Sequence, residues 1–128
     1  MRDGRVLLTV RARDPEKGRF DVPGGFLHVG EDPIAGLKRE VKEELGVDID
    51  VDVTDCLSMV PHEYGEGGDF VLSLGFRARL VGGNPSASDD VAEIRWAAKS
   101  ELDELDFAWE HDKRLVRLAL EQGEDHER

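Results

Sequence analysis

The sequence predicts one α+β domain, and three observations carry that reading. Between Asp32-Pro33 and Gly46 the apolar residues Ile34, Leu37, Val41 and Leu45 recur at helical spacing. Directly afterwards the period drops to two. Val47, Ile49, Val51 and Val53 alternate with Asp48, Asp50 and Asp52, as on a strand with one wet face. Finally, 128 residues with 39% hydrophobic content suffice for one core without disulfide or metal staples.

The elements follow in order. Residues 5–11 read as a strand with an apolar, β-branched centre. Residues 14–18 form a turn cluster, 20–22 a short extended piece, and Pro23-Gly24-Gly25 breaks regular structure. Asp32 offers a side-chain cap, Pro33 has no N–H to leave unsatisfied in the first turn, and Gly46 suits a left-handed closing position. The alternating strand is expected to continue irregularly through 56–60. A glycine-rich turn at 65–68 then leads into a second long strand over 70–80, and a flexible loop over 82–88 precedes a short strand at 94–96. Ser100 can cap a short helical turn. The spacing of Leu115, Leu118 and Ala119 predicts a closing helix from about Trp109 to Gln122. The domain is expected to span 1–122, followed by a polar tail at 123–128. There is no internal repeat and no interior linker.

Charge narrows the function. With 17 Lys+Arg against 29 Asp+Glu the chain carries −12 at neutral pH. That opposes binding along a nucleic-acid backbone, which needs clustered basic residues. No apolar run approaches the roughly 20 residues of a membrane span, and Met1-Arg2-Asp3-Gly4-Arg5 has no apolar targeting core. The one cysteine, Cys56, can form no intrachain disulfide, so a reduced, cytoplasmic setting is expected. An anionic substrate would meet either a local basic pocket or divalent cations held by carboxylates.

The first helix bears on that choice. Glu40, Glu43 and Glu44 share an arc, because offsets of three and four residues lie on one face. Like charges within a turn repel, and the helix dipole favours acids only at the N-terminal end. Arg39 can pair with Glu43 but cannot neutralise the group. Taken alone, the helix fits either a solvated charged face or a hard-cation site, since carboxylate oxygens suit Mg²⁺ or Mn²⁺.

The flanking residues decide. From Gly25 the chain runs five residues to Glu31 and seven more to Arg39-Glu40-Val41-Lys42-Glu43-Glu44-Leu45-Gly46-Val47. This resembles the Nudix box, Gx5Ex7REUxEExGU with U a bulky aliphatic, at every specified position. Average residue frequencies give such a match by chance at roughly 10⁻⁹ per frame. Gly4-Arg5-Val6-Leu7-Leu8 and Phe20-Asp21-Val22-Pro23-Gly24-Gly25-Phe26 look like the family's lead-in, and Glu93-Ile94-Arg95-Trp96 like a strand that follows the box.

The resemblance implies the Nudix fold, a mixed β-sheet sandwiched between helices, and an enzyme. The implied reaction is Mg²⁺- or Mn²⁺-dependent hydrolysis of a nucleoside diphosphate linked to another moiety, a small-molecule partner. By motif position Glu43 and Glu44 are the principal metal ligands, and Glu40 is a further ligand or the general base. The backbone carbonyl of Gly24 or Gly25 adds a metal contact, Glu31 orients water or a ligand, and Arg39 holds the glutamates. A carboxylate from outside the box often joins the site, Glu93 being the first candidate and Glu63 or Glu66 the second, but surface solvation is the preferred reading for all three. Arg11 and Arg13 can meet substrate phosphates, while Phe26, Tyr64 and Trp109 can stack on a base or simply pack. His62 and His111 lack ligand spacing and are assigned no metal. Homodimers are common in the family, so a second copy of the chain is carried as an expected partner.

Family domains normally have a strand before the one at 5–11, and four residues cannot supply it. The expectation is an uncovered edge on the 5–11 strand that a partner chain could fill. Pro23-Gly24-Gly25-Phe26 with Asp90-Val91-Ala92-Glu93 is similar to members acting on ADP-ribose or NADH. The alternatives are clean-up of oxidised nucleoside triphosphates, a nucleotide-sensing module without turnover, and an acidic structural domain that binds cations incidentally.

Overall fold

In chain order the elements are β1 (Arg5–Arg11), β2 (Phe20–Asp21), α1 (Pro33–Leu45), β3 (Asp48–Asp50), β4 (Cys56–Tyr64), β5 (Asp69–Phe76), β6 (Arg79–Gly82), β7 (Val91–Ala98) and α2 (Glu110–His126). Two 3₁₀ turns, Val53–Asp55 and Lys99–Glu104, join them. The computed structural model describes residues 1–65, 67–88 and 90–126, with 123–126 as helical backbone only.

β1 is the centre of the architecture. Successive strand residues point to opposite faces, so Leu7 packs with Val41 and Leu45 of α1, and Leu8 with Val116 and Leu120 of α2. A sheet layer between two helices results, as expected. The strand pairings are antiparallel, in the orders β2-β1-β7, β3-β6 and β4-β5. A parallel bridge, Phe20 to Phe107, ties β2 to the segment before α2. No helix among the described residues is long and apolar enough to cross a membrane.

The local signals around α1 act as read. Asp32 accepts from the Ala35 N–H at 3.0 Å, and Gly46 adopts φ 72° while its N–H reaches the Lys42 carbonyl at 2.9 Å. Elsewhere tertiary context corrects the reading. The two-residue alternation ends at Val51, and Val53 is exposed at the start of a 3₁₀ turn. There Asp52 accepts from the Val53 N–H and Asp55 accepts from the Asp52 N–H, so side chains compete with the sheet for backbone partners. The chain then continues as β4 with a register shift between Cys56 and Ser58, the irregularity expected over 56–60, and pairs regularly from Ser58 to Tyr64. The strand expected over 70–80 splits at Arg77-Ala78, where the Arg77 N–H turns to the Asp55 carbonyl, and β6 pairs with β3. Ala98 rather than Ser100 opens the second 3₁₀ turn, with Glu101 accepting from the Ala98 N–H. In α2 the buried stripe is Val116, Ala119 and Leu120, leaving Leu118 at the surface. The helix passes Gln122 to reach His126, and the rest of the expected tail lies outside the described residues.

The edge expected to be open is covered in part. β1 pairs with β7 from Arg5–Ala98 to Arg11–Val91, and with β2 at Thr9 and Val10 on its other side. On the β2 side Arg5 to Leu8 have no strand partner among the described residues. Residues 71–78, from β5 and the link to β6, line a central cavity together with Val6, Leu7, Thr9 and Arg11 of β1.

Candidate active site

That cavity, about 1010 Å³, lies between β1, the β4–β5 hairpin, α1 and α2. Its two walls carry different chemistry.

The α1 wall is organised by Arg39. Its guanidinium donates to both Glu31 oxygens at 2.7 and 2.9 Å, to Glu40 at 2.9 Å, to Glu43 at 3.2 Å and to the Phe26 carbonyl at 3.3 Å. The Arg39 bonds, with the His28 N–H, hold the Glu31 carboxyl down at about 2. A planar donor fork meeting three carboxylates keeps their positions mutually dependent. Glu44 turns the other way and accepts from the Gly24 N–H at 3.3 Å. Burial, then the charges of Glu40, Asp21 and Asp90, push its carboxyl up to about 8, against the Gly24 bond. Gly25 presses so close to this wall that a Cβ there would run into the Glu40 carboxylate.

Among the described residues no three Asp, Glu, His or Cys side chains are gathered as a ready cage for a metal ion. The ion pairs explain this, since Arg39 draws Glu40 and Glu43 to itself while Gly24 draws Glu44. The donor set nevertheless suits a hard divalent cation. It is all oxygen, and a cation would offset the charges of Glu40, Asp21 and Asp90 that, after burial, raise the Glu44 carboxyl.

The opposite wall is aromatic and carboxylic. Arg11 donates to Asp21 at 2.7 Å, to the Tyr64 hydroxyl at 3.0 Å and to the Pro15 carbonyl at 2.6 Å, and lies 4.8 Å from the Trp109 ring centre. Burial works against the Arg11 charge, but the bonds to Asp21 and Tyr64 outweigh it and raise its pKa. Tyr64 and Trp109 are stacked at 5.6 Å, and Phe26 meets Tyr64 edge-on at 5.1 Å. Asp112, at the first turn of α2, is buried next to Asp21. Desolvation, then the charge and hydrogen bond of Asp21, push its carboxyl well above the ordinary range, which favours the protonated form of Asp112 beside Asp21. His62 and His111 pack ring to ring at 4.4 Å, and burial with the neighbouring His62 lowers the pKa of His111.

Most of the residues expected at a site therefore meet in one cavity. Glu40, Glu43, Glu44, Gly25, Arg11, Arg13 and Phe26 line it, and Arg39 and Glu31 brace it from behind. Glu93 and Glu63 do not. Both are exposed on outward positions of β7 and β4, and Glu66 lies outside the described residues. The carboxylates that do line the cavity from beyond the box are Asp14, Asp21, Asp90 and Asp112, with Asp90 paired with Arg13 at 3.1 Å. Asp21 and Asp112 were also missed. One sits in a two-residue strand and the other in a helix start, and only tertiary structure joins them.

A model of the NUDIX domain matches residues 1–119. The chain is 32% identical, over 112 residues, to the ADP-ribose pyrophosphatase of Methanocaldococcus jannaschii, covering 88% of this chain and 64% of that protein. It is 38% identical, over 104 residues, to a Mycobacterium tuberculosis protein named "Putative 8-oxo-dGTP diphosphatase 2", covering 80% of this chain and 70% of that one. The chain thus spans just under two thirds of the first relative's length. Among solved structures, the MutT NUDIX hydrolase from Burkholderia pseudomallei superposes with a TM-score of 0.74 at 31% identity, over 95% of this chain and 90% of that one.

Proposed function

Because the chain belongs to the Nudix family, we propose that it is a divalent-metal-dependent pyrophosphohydrolase acting on a nucleoside diphosphate linked to another moiety, ADP-ribose being the leading candidate. One observation carries this reading: a single cavity joins the Arg39-ordered glutamates of α1 to an aromatic and carboxylic wall from β2, β4 and α2.

The two walls divide the work. Glu43 and Glu44, with Glu40 and the main chain at Gly24 or Gly25, would hold Mg²⁺ or Mn²⁺. The chemistry such a cation supplies when bound is neutralisation of the pyrophosphate and a lowered pKa of the attacking water. Glu40, which lines the cavity, would accept the attacking water's proton or act as a further metal ligand, and Glu31, held by Arg39, would orient water or a ligand at the edge of the site. Arg39 keeps these carboxylates in register. Arg11 and Arg13 border the space between the walls and can meet phosphate oxygens. Trp109 and Tyr64 offer a stacked surface to a base, while the Asp21–Asp112 pair offers one O–H donor and several acceptors to its polar edge. In the reaction the water oxygen bonds to one phosphorus, the bridging P–O bond breaks, and two phosphate-bearing products leave.

A second reading, hydrolysis of an oxidised purine nucleoside triphosphate, is supported by the 38% identity to the M. tuberculosis protein of that name. The Asp21–Asp112 pair could equally meet an oxidised purine. The test is incubation with ADP-ribose, NADH, diadenosine polyphosphates and 8-oxo-dGTP, each with Mg²⁺ or Mn²⁺ and with EDTA. Metal-dependent cleavage of ADP-ribose upholds the first reading, and cleavage of 8-oxo-dGTP alone upholds the second. Silence from folded protein across the panel would overturn both.

A further inference from the structure

Glu43 and Glu44 belong to the last turn of α1, where carbonyls lack N–H partners further along the helix. Each carbonyl of that turn finds a partner elsewhere. The Lys42 carbonyl accepts from Gly46 N–H at 2.9 Å, and the Leu45 carbonyl from Ser86 N–H at 3.1 Å. The two between them, of Glu43 and Glu44, both face the Ser88 hydroxyl, at 3.1 and 2.7 Å. One hydroxyl proton is therefore shared across the backbone of the two residues whose side chains enter the cavity.

The strap that carries Ser88 is itself held at both ends. Gly83 lies against the helix end, where a Cβ would come within 2.8 Å of the Gly46 carbonyl. Beyond Ser88, its carbonyl accepts from Val91 N–H at 3.1 Å and the Asp90 carbonyl from Ala12 N–H at 3.0 Å. The Ser88 hydroxyl is thus aimed from a fixed support. We propose that Ser88 is a positioning residue: its hydroxyl keeps the last turn of α1 from fraying, so that Glu43 and Glu44 keep the backbone positions from which both carboxylates would hold one divalent cation. This rests on the metal-binding reading above.

The side chain of Ser88 is exposed, so its bonds add little to global stability. Metal affinity should therefore change while the fold does not. The experiment measures Mn²⁺ binding to the whole chain by the loss of the free-ion paramagnetic resonance signal, beside thermal melting of the same samples. Ser88→Ala should bind Mn²⁺ about tenfold more weakly, Ser88→Thr within about twofold of wild type, and Ser86→Ala, whose contact uses the backbone N–H, like wild type. Melting temperatures should stay together. Wild-type affinity in Ser88→Ala, or failure of Ser88→Thr to restore it, would overturn the inference while leaving the metal reading intact. A folded wild-type protein that binds no Mn²⁺ would overturn the metal reading and this inference with it.

Discussion

Glu44→Gln should stabilise the metal-free protein, and by an amount that depends on pH. In the folded chain the Glu44 carboxyl titrates at about 8, against 4.5 for an ordinary glutamate. Between those values the native state holds a proton that the unfolded state releases. The stability this group contributes is thus complete below pH 4.5 and is lost as pH rises through 8. At 1.36 kcal/mol per unit, holding the proton at pH 7 costs about 3 kcal/mol. Partial contact of the carboxyl with water reduces that to about 2 kcal/mol. Glutamine never pays this term, and its side-chain oxygen can still accept from the Gly24 N–H. Asp112 titrates over the same range in both proteins and cancels in the difference. Urea unfolding in EDTA should give curves that nearly coincide at pH 5, with Glu44→Gln more stable by about 2 kcal/mol at pH 7. Adding Mn²⁺ should then stabilise wild type and not the variant. A Glu44→Gln protein less stable at pH 7, or a difference indifferent to pH, would refute the account of Glu44 as a crowded, half-buried acid.

Three further outcomes follow from the same geometry. Burial and the neighbouring Asp21 raise the Asp112 carboxyl well above the ordinary range, so KM for the preferred nucleotide should rise in alkaline solution, as Asp112 ionises, in wild type and stay level in Asp112→Asn. A KM that climbs equally in both would remove the acid pair from substrate binding. Arg39→Ala releases Glu31, Glu40 and Glu43 together and should lower kcat by about a hundredfold in steady-state assays, with the fold kept by circular dichroism. Gly25→Ala sets a methyl group against the Glu40 carboxylate and should cost turnover at least about tenfold, which assays at saturating metal would check.

What could be read from the sequence was local. Asp32, Pro33 and Gly46 act within one helix, and Glu31, Arg39 and the three glutamates are spaced along a single turn-and-helix unit, so their grouping survives whatever the rest of the chain does. What escaped depends on partners far along the chain. Helical period alone cannot choose between Leu118 and the Val116–Leu120 side of α2, because both faces carry apolar residues. A register shift between Val10 and Arg11 interrupts the β1–β7 ladder beside Asp90, and no spacing rule foresees that Asp90 rather than Glu93 faces Glu44. The two-residue alternation ran on to Val53 in the sequence, but Asp52 and Asp55 claim the backbone there. The cover that β1 does gain was not legible because its partners β2 and β7 come from both ends of the chain.

The most direct test of the central claim is turnover by Glu43→Gln and Glu44→Gln beside wild type, on whichever substrate the panel identifies. Each protein should first be shown folded by its melting curve and then assayed across a Mn²⁺ titration. The account predicts metal-dependent cleavage by wild type and loss of turnover in both variants with the fold retained. Undiminished turnover in both would show that the glutamates at the end of α1 are not the metal-binding centre, and the proposed mechanism would fall.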